Sequence, residues 1–153
     1  MDELIKLRML PPGVYDKDSV DLYKEIYETY KSLVHKDTGA ILTFIGVSKE
    51  SSTVSSKIVK SVTIEAYKEE ADKTIQRICS EIKNKHSLNY INIVHLQGDF
   101  SPSEPIVCVI VVSKSRKEAL RSIKEAIERY KTEPPIFKKE NYIDGSSKWI
   151  STS

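Results

Sequence analysis

The chain has 153 residues, 39% of them hydrophobic and 30% charged, and a formal net charge of +2. This length and balance predict a single domain over residues 1–153 with an ordinary core, and exclude a disordered or fibrous protein. The longest apolar run, Ile106–Val112, is far shorter than the roughly 20 residues that span a bilayer. Because the N-terminus also lacks a signal-peptide pattern, we expect a cytoplasmic protein with no membrane association.

The first part of the chain predicts a strand, a helix, a strand and a loop. A strand-like segment at residues 4–10 precedes the breaker Pro-Pro-Gly. A helix capped by Asp18 or Ser19 follows, because apolar residues recur at three- and four-residue spacing. The segment 40–46 is typical of a strand, and the serine-rich stretch 47–56 of a loop. The predicted core-facing residues of the helix are Tyr23, Ile26, Tyr27, Tyr30, Leu33 and Val34.

The middle of the chain predicts three strands around one helix. Alternating polarity over residues 57–67 indicates a half-buried strand. Residues 90–96 and 105–113 read as two further strands, and the second is placed centrally because it is apolar throughout. The helix between the first two of these strands is expected to bury Ala71, Ile75, Ile78, Cys79 and Ile82.

The last part predicts a third helix and a closing hairpin. The helix runs from about Arg116 to Tyr130 and ends before Pro134 and Pro135. Segments 136–143 and 146–151 form the hairpin. Strands and helices are interspersed without regular βαβ alternation, so we predict an α+β fold with a mixed or antiparallel sheet packed on helices. The predicted core-facing residues of the third helix are Ala119, Leu120, Ile123, Ala126, Ile127 and Tyr130.

Cysteine and histidine residues provide no metal-ligand spacing. Cys79 and Cys108 stand in unrelated segments and are interpreted as small buried hydrophobic residues. For His95, inside a strand, a hydrogen-bonded structural role is favoured over a catalytic one. Nucleotide-binding glycine loops are also missing, so we predict neither a metal nor a cofactor.

Positive charge is concentrated late in the chain. Residues 114–139 hold nine basic and four acidic groups. Within them, two prolines stiffen the link between Lys131 and Lys138, which are accompanied by Lys139 and the upstream Arg116. If these four cations converge, they would bind a phosphate or carboxylate, and their mutual repulsion would lower a lysine pKa. A solvated basic surface, or a helix C-terminus stabilised by Lys131, is the plainer interpretation.

Several segments, in this order, resemble the large, catalytic subunit of molybdopterin synthase. They are GAILTFIG (39–46), VTIEAYKEEADK (62–73), INIVHLQGDFSPSEPIVCVIVVSKSRKEAL (91–120) and YKTEPPIFKKE (130–140), followed by Gly145 and Trp149. The resemblance covers roughly residues 39–150. Its most specific part is the pattern K-T-x-x-P-x-x-K-[KR]-E.

The resemblance implies an α/β hammerhead fold and a sulfurtransferase. Such an enzyme inserts two sulfur atoms into a cyclic pyranopterin monophosphate and forms the dithiolene of molybdopterin, in molybdenum cofactor biosynthesis. The sulfur is carried as a thiocarboxylate on the C-terminal Gly-Gly of a small ubiquitin-like subunit. Two large subunits form a central homodimer, with one small subunit at each end.

The resemblance also implies site residues. Lys131 and Lys138 match the two active-site lysines, while Arg116 and Phe44 match an anion-binding residue and a pocket-lining aromatic. Lys49 replaces a family arginine in substrate binding, and Lys139 is assigned to the same group.

Two further departures concern histidine. Ser115 precedes Arg116 where the family has a histidine, so an acid/base at that point is missing. The His-Arg pair of the family before Gly98 is here His95 and Leu96, followed by Gln97. The lysine chemistry is unaffected by these changes.

Two other functions remain open from the residues alone. The chain could be a non-catalytic module that binds a small phosphorylated ligand. It could also bind nucleic acid through the basic segment, but basic and aromatic residues are not interleaved on a strand as base stacking would require. We therefore expect no nucleic-acid partner.

Overall fold

The computed structural model describes residues 9–150, and these form seven strands and three helices. Their order agrees with the predicted order of elements. The elements are β1 (Gly13–Asp16), α1 (Leu22–Leu33), β2 (Ala40–Val47), β3 (Val59–Ala66), α2 (Lys68–His86), β4 (Tyr90–Phe100), β5 (Pro105–Ser113), α3 (Arg116–Thr132), β6 (Ile136–Tyr142) and β7 (Ser147–Ile150).

The first strand differs from its prediction. The predicted segment 4–10 lies mostly outside the described residues, and its two described members, Met9 and Leu10, are not in a strand. Strand β1 instead follows the two prolines and pairs in parallel with β4. Four residues are too few for a period to be recognised, and this strand is defined by its partner.

The strands form one mixed, largely antiparallel sheet in the order β2-β5-β4-β3-β6-β7, with β1 beside β4. The predicted α+β class is thus confirmed, and β5 lies inside the sheet between β2 and β4, as expected. Strand β4 changes partners at Gly98, after which it pairs with β3. Gly98 has a φ of 134°, which a residue with a side chain rarely adopts.

Helices cover the central strands. All residues of β5 from Ile106 onward are buried, so both of its faces are covered. Helices α2 and α3 contact each other and pack on β1, β2, β4 and β5, while α1 also packs on β5. Within residues 9–150, no helix combines the length and apolar character needed to cross a membrane.

Helix α2 buries the predicted side chains, Ala71, Ile75, Ile78, Cys79 and Ile82. Both cysteines are buried and unpaired, as predicted. Burial raises the pKa of each thiol to about 12, so neither is a thiolate at neutral pH.

The predicted core face of α1 is only partly right, because Ile26 and Leu33 face the core and Val34 and the three tyrosines do not. Its N-cap is Asp21, whose carboxylate accepts from the backbone N–H groups of Tyr23 and Lys24 at 3.0 and 3.3 Å. The buried residues are Leu22, Thr29 and Leu33, whereas the tyrosines are 59–65% exposed. Burial of Thr29 is possible because its hydroxyl donates to the Glu25 carbonyl at 2.7 Å.

Helix α3 and the hairpin agree with prediction apart from one residue. Leu120 is 57% exposed, and Ser122 is buried instead. Strands β6 and β7 pair antiparallel as the predicted hairpin, up to the end of the described residues. Tyr142 of the hairpin is buried, but Phe137, Ile143 and Trp149 are exposed.

Candidate active site

A pocket of about 480 Å³ lies where the end of β2, the C-terminal end of α3 and strand β6 meet. Its wall is mainly apolar, and it is completed by the segment after β2 and by residues of β3, β4, β5 and β7. The lining residues are Phe44, Ile45, Gly46, Val47, Lys49, Thr53, Val54, Ile64, His95, Ile106, Val107, Tyr130, Lys131, Ile136, Lys138 and Ile150.

The charge of this pocket is entirely positive. Lys49, Lys131 and Lys138 line it, and no carboxylate is among its described lining residues. Such a concave, partly apolar site with three cations favours an anionic ligand.

Lys131 and Lys138 reach the pocket from two consecutive elements. Lys131 lies in the last turn of α3, and the helix ends at Thr132 before the two prolines. Strand β6 then begins at Ile136, which places Lys138 opposite Ile64 of β3 and Ile150 of β7. The short proline link therefore brings both lysines to one cavity.

Lys138 has an altered acidity. Burial lowers the pKa of its ammonium group below the ordinary value, and the nearby carboxylate of Glu140 opposes this effect. The positive charges of Lys131 and Lys49 lower the pKa further. The proton of Lys138 is therefore more easily removed than that of an ordinary lysine, which suits a group that transfers protons.

Phe44 and Gly46 belong to the part of β2 that borders the pocket. A Cβ atom at Gly46 would lie 2.6 Å from Cγ1 of Val107 and 3.7 Å from the hydroxyl of Tyr130. A side chain at Gly46 would thus push β2 away from β5 and fill space beside the lysines. Gly46, the second glycine of the GAILTFIG segment, thus allows β2 to pack closely against β5.

Two predicted site residues lie elsewhere. Lys139 points to the other face of β6, where its ammonium group lies 5.3 Å from the ring centroid of Trp149. Arg116 is exposed at the N-terminus of α3, fifteen residues before Lys131, which corresponds to roughly 22 Å along the helix axis. Within one chain, neither residue lines the pocket.

His95 is a pocket residue whose position the sequence did not indicate. It is 6% exposed, and its Nδ1 lies 2.9 Å from the Leu96 carbonyl oxygen, so Nδ1 carries the proton and Nε2 is an acceptor. Burial lowers its pKa to about 4, which keeps the ring neutral at pH 7. The structural hydrogen bond is as expected, and the ring also adds a neutral acceptor to a pocket of cations.

A larger groove, of about 990 Å³, lies beside α1. Its lining includes five carboxylates and only two lysines, so it is unsuited to an anionic substrate. The smaller, lysine-lined pocket is therefore the candidate active site. The carboxylates of the groove are Asp18, Asp21, Glu25, Glu28 and Glu104.

Comparison with known proteins identifies the family of the chain. A family model described as MoaE protein matches residues 16–133, which is most of the chain. The chain belongs to the MoaE family. Molybdopterin synthase catalytic subunit 1 of Aedes aegypti is 33% identical over 128 residues, covering 82% of this chain and 81% of the relative. The catalytic subunit of Bos taurus is 34% identical over 149 residues, covering 91% and 78%.

Solved structures of this family share the fold. Molybdopterin synthase from Staphylococcus aureus superposes with a TM-score of 0.80 at 29% identity, covering 94% of this chain and 98% of the other. A complex of subunits 1 and 2 of molybdopterin-converting factor from Helicobacter pylori has a TM-score of 0.70 at 18% identity, covering 94% and 91%, and is similar in fold alone. The chain is thus a MoaE-type catalytic subunit, an enzyme component of molybdenum cofactor biosynthesis.

The structure accounts for one departure from the family pattern. Ser115, where the resemblance implies a histidine, is the N-cap of α3, and its hydroxyl accepts from the Glu118 N–H at 3.2 Å. Serine is a favourable residue there because it satisfies an otherwise unpaired helix donor. Lys49, where the resemblance implies an arginine, lines the pocket.

Proposed function

We propose that this chain transfers sulfur from the C-terminal thiocarboxylate of a small ubiquitin-like subunit to cyclic pyranopterin monophosphate. The observation that carries this proposal is a partly apolar pocket lined by three lysines and no carboxylate in a MoaE fold. Both reactants are anions. The apolar wall suits a peptide tail ending in Gly-Gly, and the Helicobacter pylori structure of this fold is itself a two-subunit complex.

The chemistry requires no nucleophile from the protein. The thiocarboxylate sulfur forms a C–S bond at a substrate carbon while a C–O bond at that carbon breaks, and the oxygen leaves with a proton. Water then attacks the acyl carbon, and the acyl–sulfur bond breaks, so that the sulfur stays on the substrate as a thiolate and the partner keeps a carboxylate. Charged Lys131 stabilises the oxyanion that develops at the carbonyl. Lys138, with its lowered pKa, transfers protons, and Lys49 and Phe44 contact the substrate. The neutral His95 accepts a hydrogen bond from the bound pterin.

The cytosol remains our expected compartment for this reaction. Both cysteines are free and buried, which fits a reducing environment.

The direct test is product formation from pyranopterin monophosphate and thiocarboxylated small subunit. We expect molybdopterin to form with this partner, and none to form when its C-terminus is an ordinary carboxylate. If pyranopterin monophosphate binds but is not converted, the alternative is correct, and the chain is a non-catalytic module for a phosphorylated ligand.

We further propose a homodimer in which the free edges of two β2 strands pair antiparallel. Among residues 9–150, β2 pairs only with β5, so its apolar outer edge is available. Strand β2 begins beside the N-terminus of α3, where the Gly39 N–H donates to the Ser113 carbonyl, and ends at the pocket. Twofold pairing therefore places Arg116 of one copy near the pocket of the other.

The dimer prediction is tested by light scattering of the chain without its partner. We expect about 35 kDa for two chains of 17.4 kDa. Thr43→Lys, at an exposed position of β2, should produce monomers because like charges would meet across the twofold axis. Ser147→Lys, on the opposite edge strand β7, is the control and should remain dimeric. A mass of 17 kDa for the unaltered chain at micromolar concentration would contradict the dimer.

Arg116→Ala is expected to raise the apparent KM more than it lowers kcat, because guanidinium recognises the substrate anion rather than the transition state. Arg116→Lys should restore activity only in part. Mixing Arg116→Ala chains with Lys131→Ala chains provides the decisive control. If Arg116 acts across the dimer, one pocket of each mixed dimer is intact and activity returns. A collapse of kcat at unchanged KM would assign Arg116 to the chemical step instead.

A further inference from the structure

Glu140 is the only carboxylate among the fully buried side chains of residues 9–150, with 2% exposure. Its Oε1 accepts from the Ser52 hydroxyl at 2.6 Å and from the Tyr142 hydroxyl at 2.8 Å. Its Oε2 accepts from the Thr53 backbone N–H at 3.2 Å. Two of these three donors lie almost ninety residues earlier in the chain.

These contacts keep the carboxylate charged. Burial acts to raise the pKa of Glu140, but the bonds from Ser52, Tyr142 and Thr53 outweigh it. Together with the nearby Lys138 ammonium, they hold the pKa of Glu140 below its ordinary value. A buried carboxylate with this many donors is a strong anchor, because losing any donor leaves a desolvated charge unpaired.

The anchored segment is the turn at residues 52–55, which follows β2. The hydroxyl group of Ser52 organises this turn. Its oxygen accepts from the N–H groups of Val54 and Ser55 at 3.1 and 3.0 Å, and the hydroxyl donates to Glu140. The base of the segment is held separately, by backbone bonds such as Val59 N–H to the Glu50 carbonyl. Glu140 is thus the link between the turn and the sheet.

The turn and the strand of Glu140 both supply pocket residues. Thr53 and Val54 line the cavity from the turn, and Lys49 lines it from the start of the same segment. Lys138 lies two residues from Glu140 on the same face of β6 and faces the cavity. One carboxylate therefore connects a wall of the pocket to a lysine that lines it.

We propose that Glu140 is a positioning residue that holds the 52–55 turn as a wall of the pocket and supplies the counter-charge of Lys138. Its effect on sulfur transfer rests on the proposed function, whereas the anchoring itself does not. The serine-rich segment, expected to be a simple loop, thereby has a defined partner in the sheet.

Amide hydrogen exchange of the turn tests the anchoring without any assay of activity. Glu140→Gln should increase the exchange rate of the Thr53 amide by about tenfold or more, since its acceptor loses its charge. Glu65→Gln, at an exposed glutamate of β3, is the matched control and should leave that rate unchanged. An unchanged Thr53 rate in folded Glu140→Gln would overturn the proposal.

Ser52→Ala provides a second test should Glu140→Gln fail to fold. This variant keeps the buried carboxylate and removes the Ser52 hydroxyl bond to it, so the Thr53 amide, whose own acceptor Glu140 is still present, should exchange about tenfold faster. The pH profile then separates positioning from a structural role. In Glu140→Gln, the part of the pH–rate profile that reports deprotonation of Lys138 (the Lys138 limb) should move to lower pH, because the carboxylate that raises the pKa of Lys138 is lost. In Ser52→Ala this limb should not move. An unchanged Thr53 exchange rate in Ser52→Ala, or an unmoved limb in active Glu140→Gln, would each contradict the proposal.

Discussion

Replacing Lys131 with alanine is expected to lower the rate of sulfur transfer by about 10²-fold or more, because it removes a cation that stabilises the transition state in a partly apolar pocket. The fold should persist, since Lys131 is exposed in the last turn of α3. Single-turnover assays with thiocarboxylated partner would measure the chemical step, and circular dichroism would verify the fold.

Lys124→Ala is the matched control for this experiment. Lys124 is an exposed lysine on the same helix that does not line the pocket, so its loss removes the same charge without affecting the site. Near-normal turnover by Lys131→Ala would remove Lys131 from the mechanism. An equal loss in both variants would indicate that the overall charge of α3, and not a particular lysine, supports the reaction.

Acidification from pH 7 to pH 4 is expected to cost the fold about 3 kcal/mol through His95 alone. Its pKa falls from 6.5 to about 4 on folding, owing to burial. As the pH drops below 6.5, the unfolded chain gains a proton that the folded chain does not bind, so the free energy of unfolding decreases. The loss should be complete near pH 4, where the folded histidine is itself protonated.

Urea unfolding between pH 4 and pH 8 would measure this contribution. In His95→Gln the pH dependence should be smaller than in the unaltered chain by about 3 kcal/mol, whatever the stability of the variant at pH 7. His35→Gln, which changes an exposed histidine, should retain the full pH dependence. Parallel curves for His95→Gln and the unaltered chain would mean that His95 is not held neutral by the fold.

The success of prediction along the helices depended on how many apolar stripes each helix carries. Helix α2 has one, so its buried residues were identified correctly. Helix α1 has two, one containing Leu22 and Leu33 and the other the tyrosines. Local spacing cannot rank them, and packing on β5 buried the aliphatic stripe while the tyrosine hydroxyls stayed in water.

From the residues alone, the pocket was predictable only where its residues are close in sequence, and Phe44 and Lys49 were predicted through the family resemblance. Lys131 and Lys138 are joined by a rigid proline link, and both line it. The sequence could have excluded Lys139 from the pocket, because neighbouring residues of a strand, such as Lys138 and Lys139, point to opposite faces of the sheet. The distance between Arg116 and Lys131 follows from helix length as well, but a second copy of the chain cannot be read from one sequence.

Local sequence was enough to predict the order and type of the main elements, the burial of both cysteines, and the resemblance to the family. These properties depend on local periodicity and on short segments. The tertiary structure was needed to show that His95 is a neutral acceptor in the pocket and that Glu140 contacts the 52–55 turn, and it placed Lys49, which the family resemblance had implied, beside the two lysines. His95 and Glu140 meet residues from distant parts of the chain. Burial and hydrogen bonding there set their charge, because local sequence does not determine which groups are removed from water.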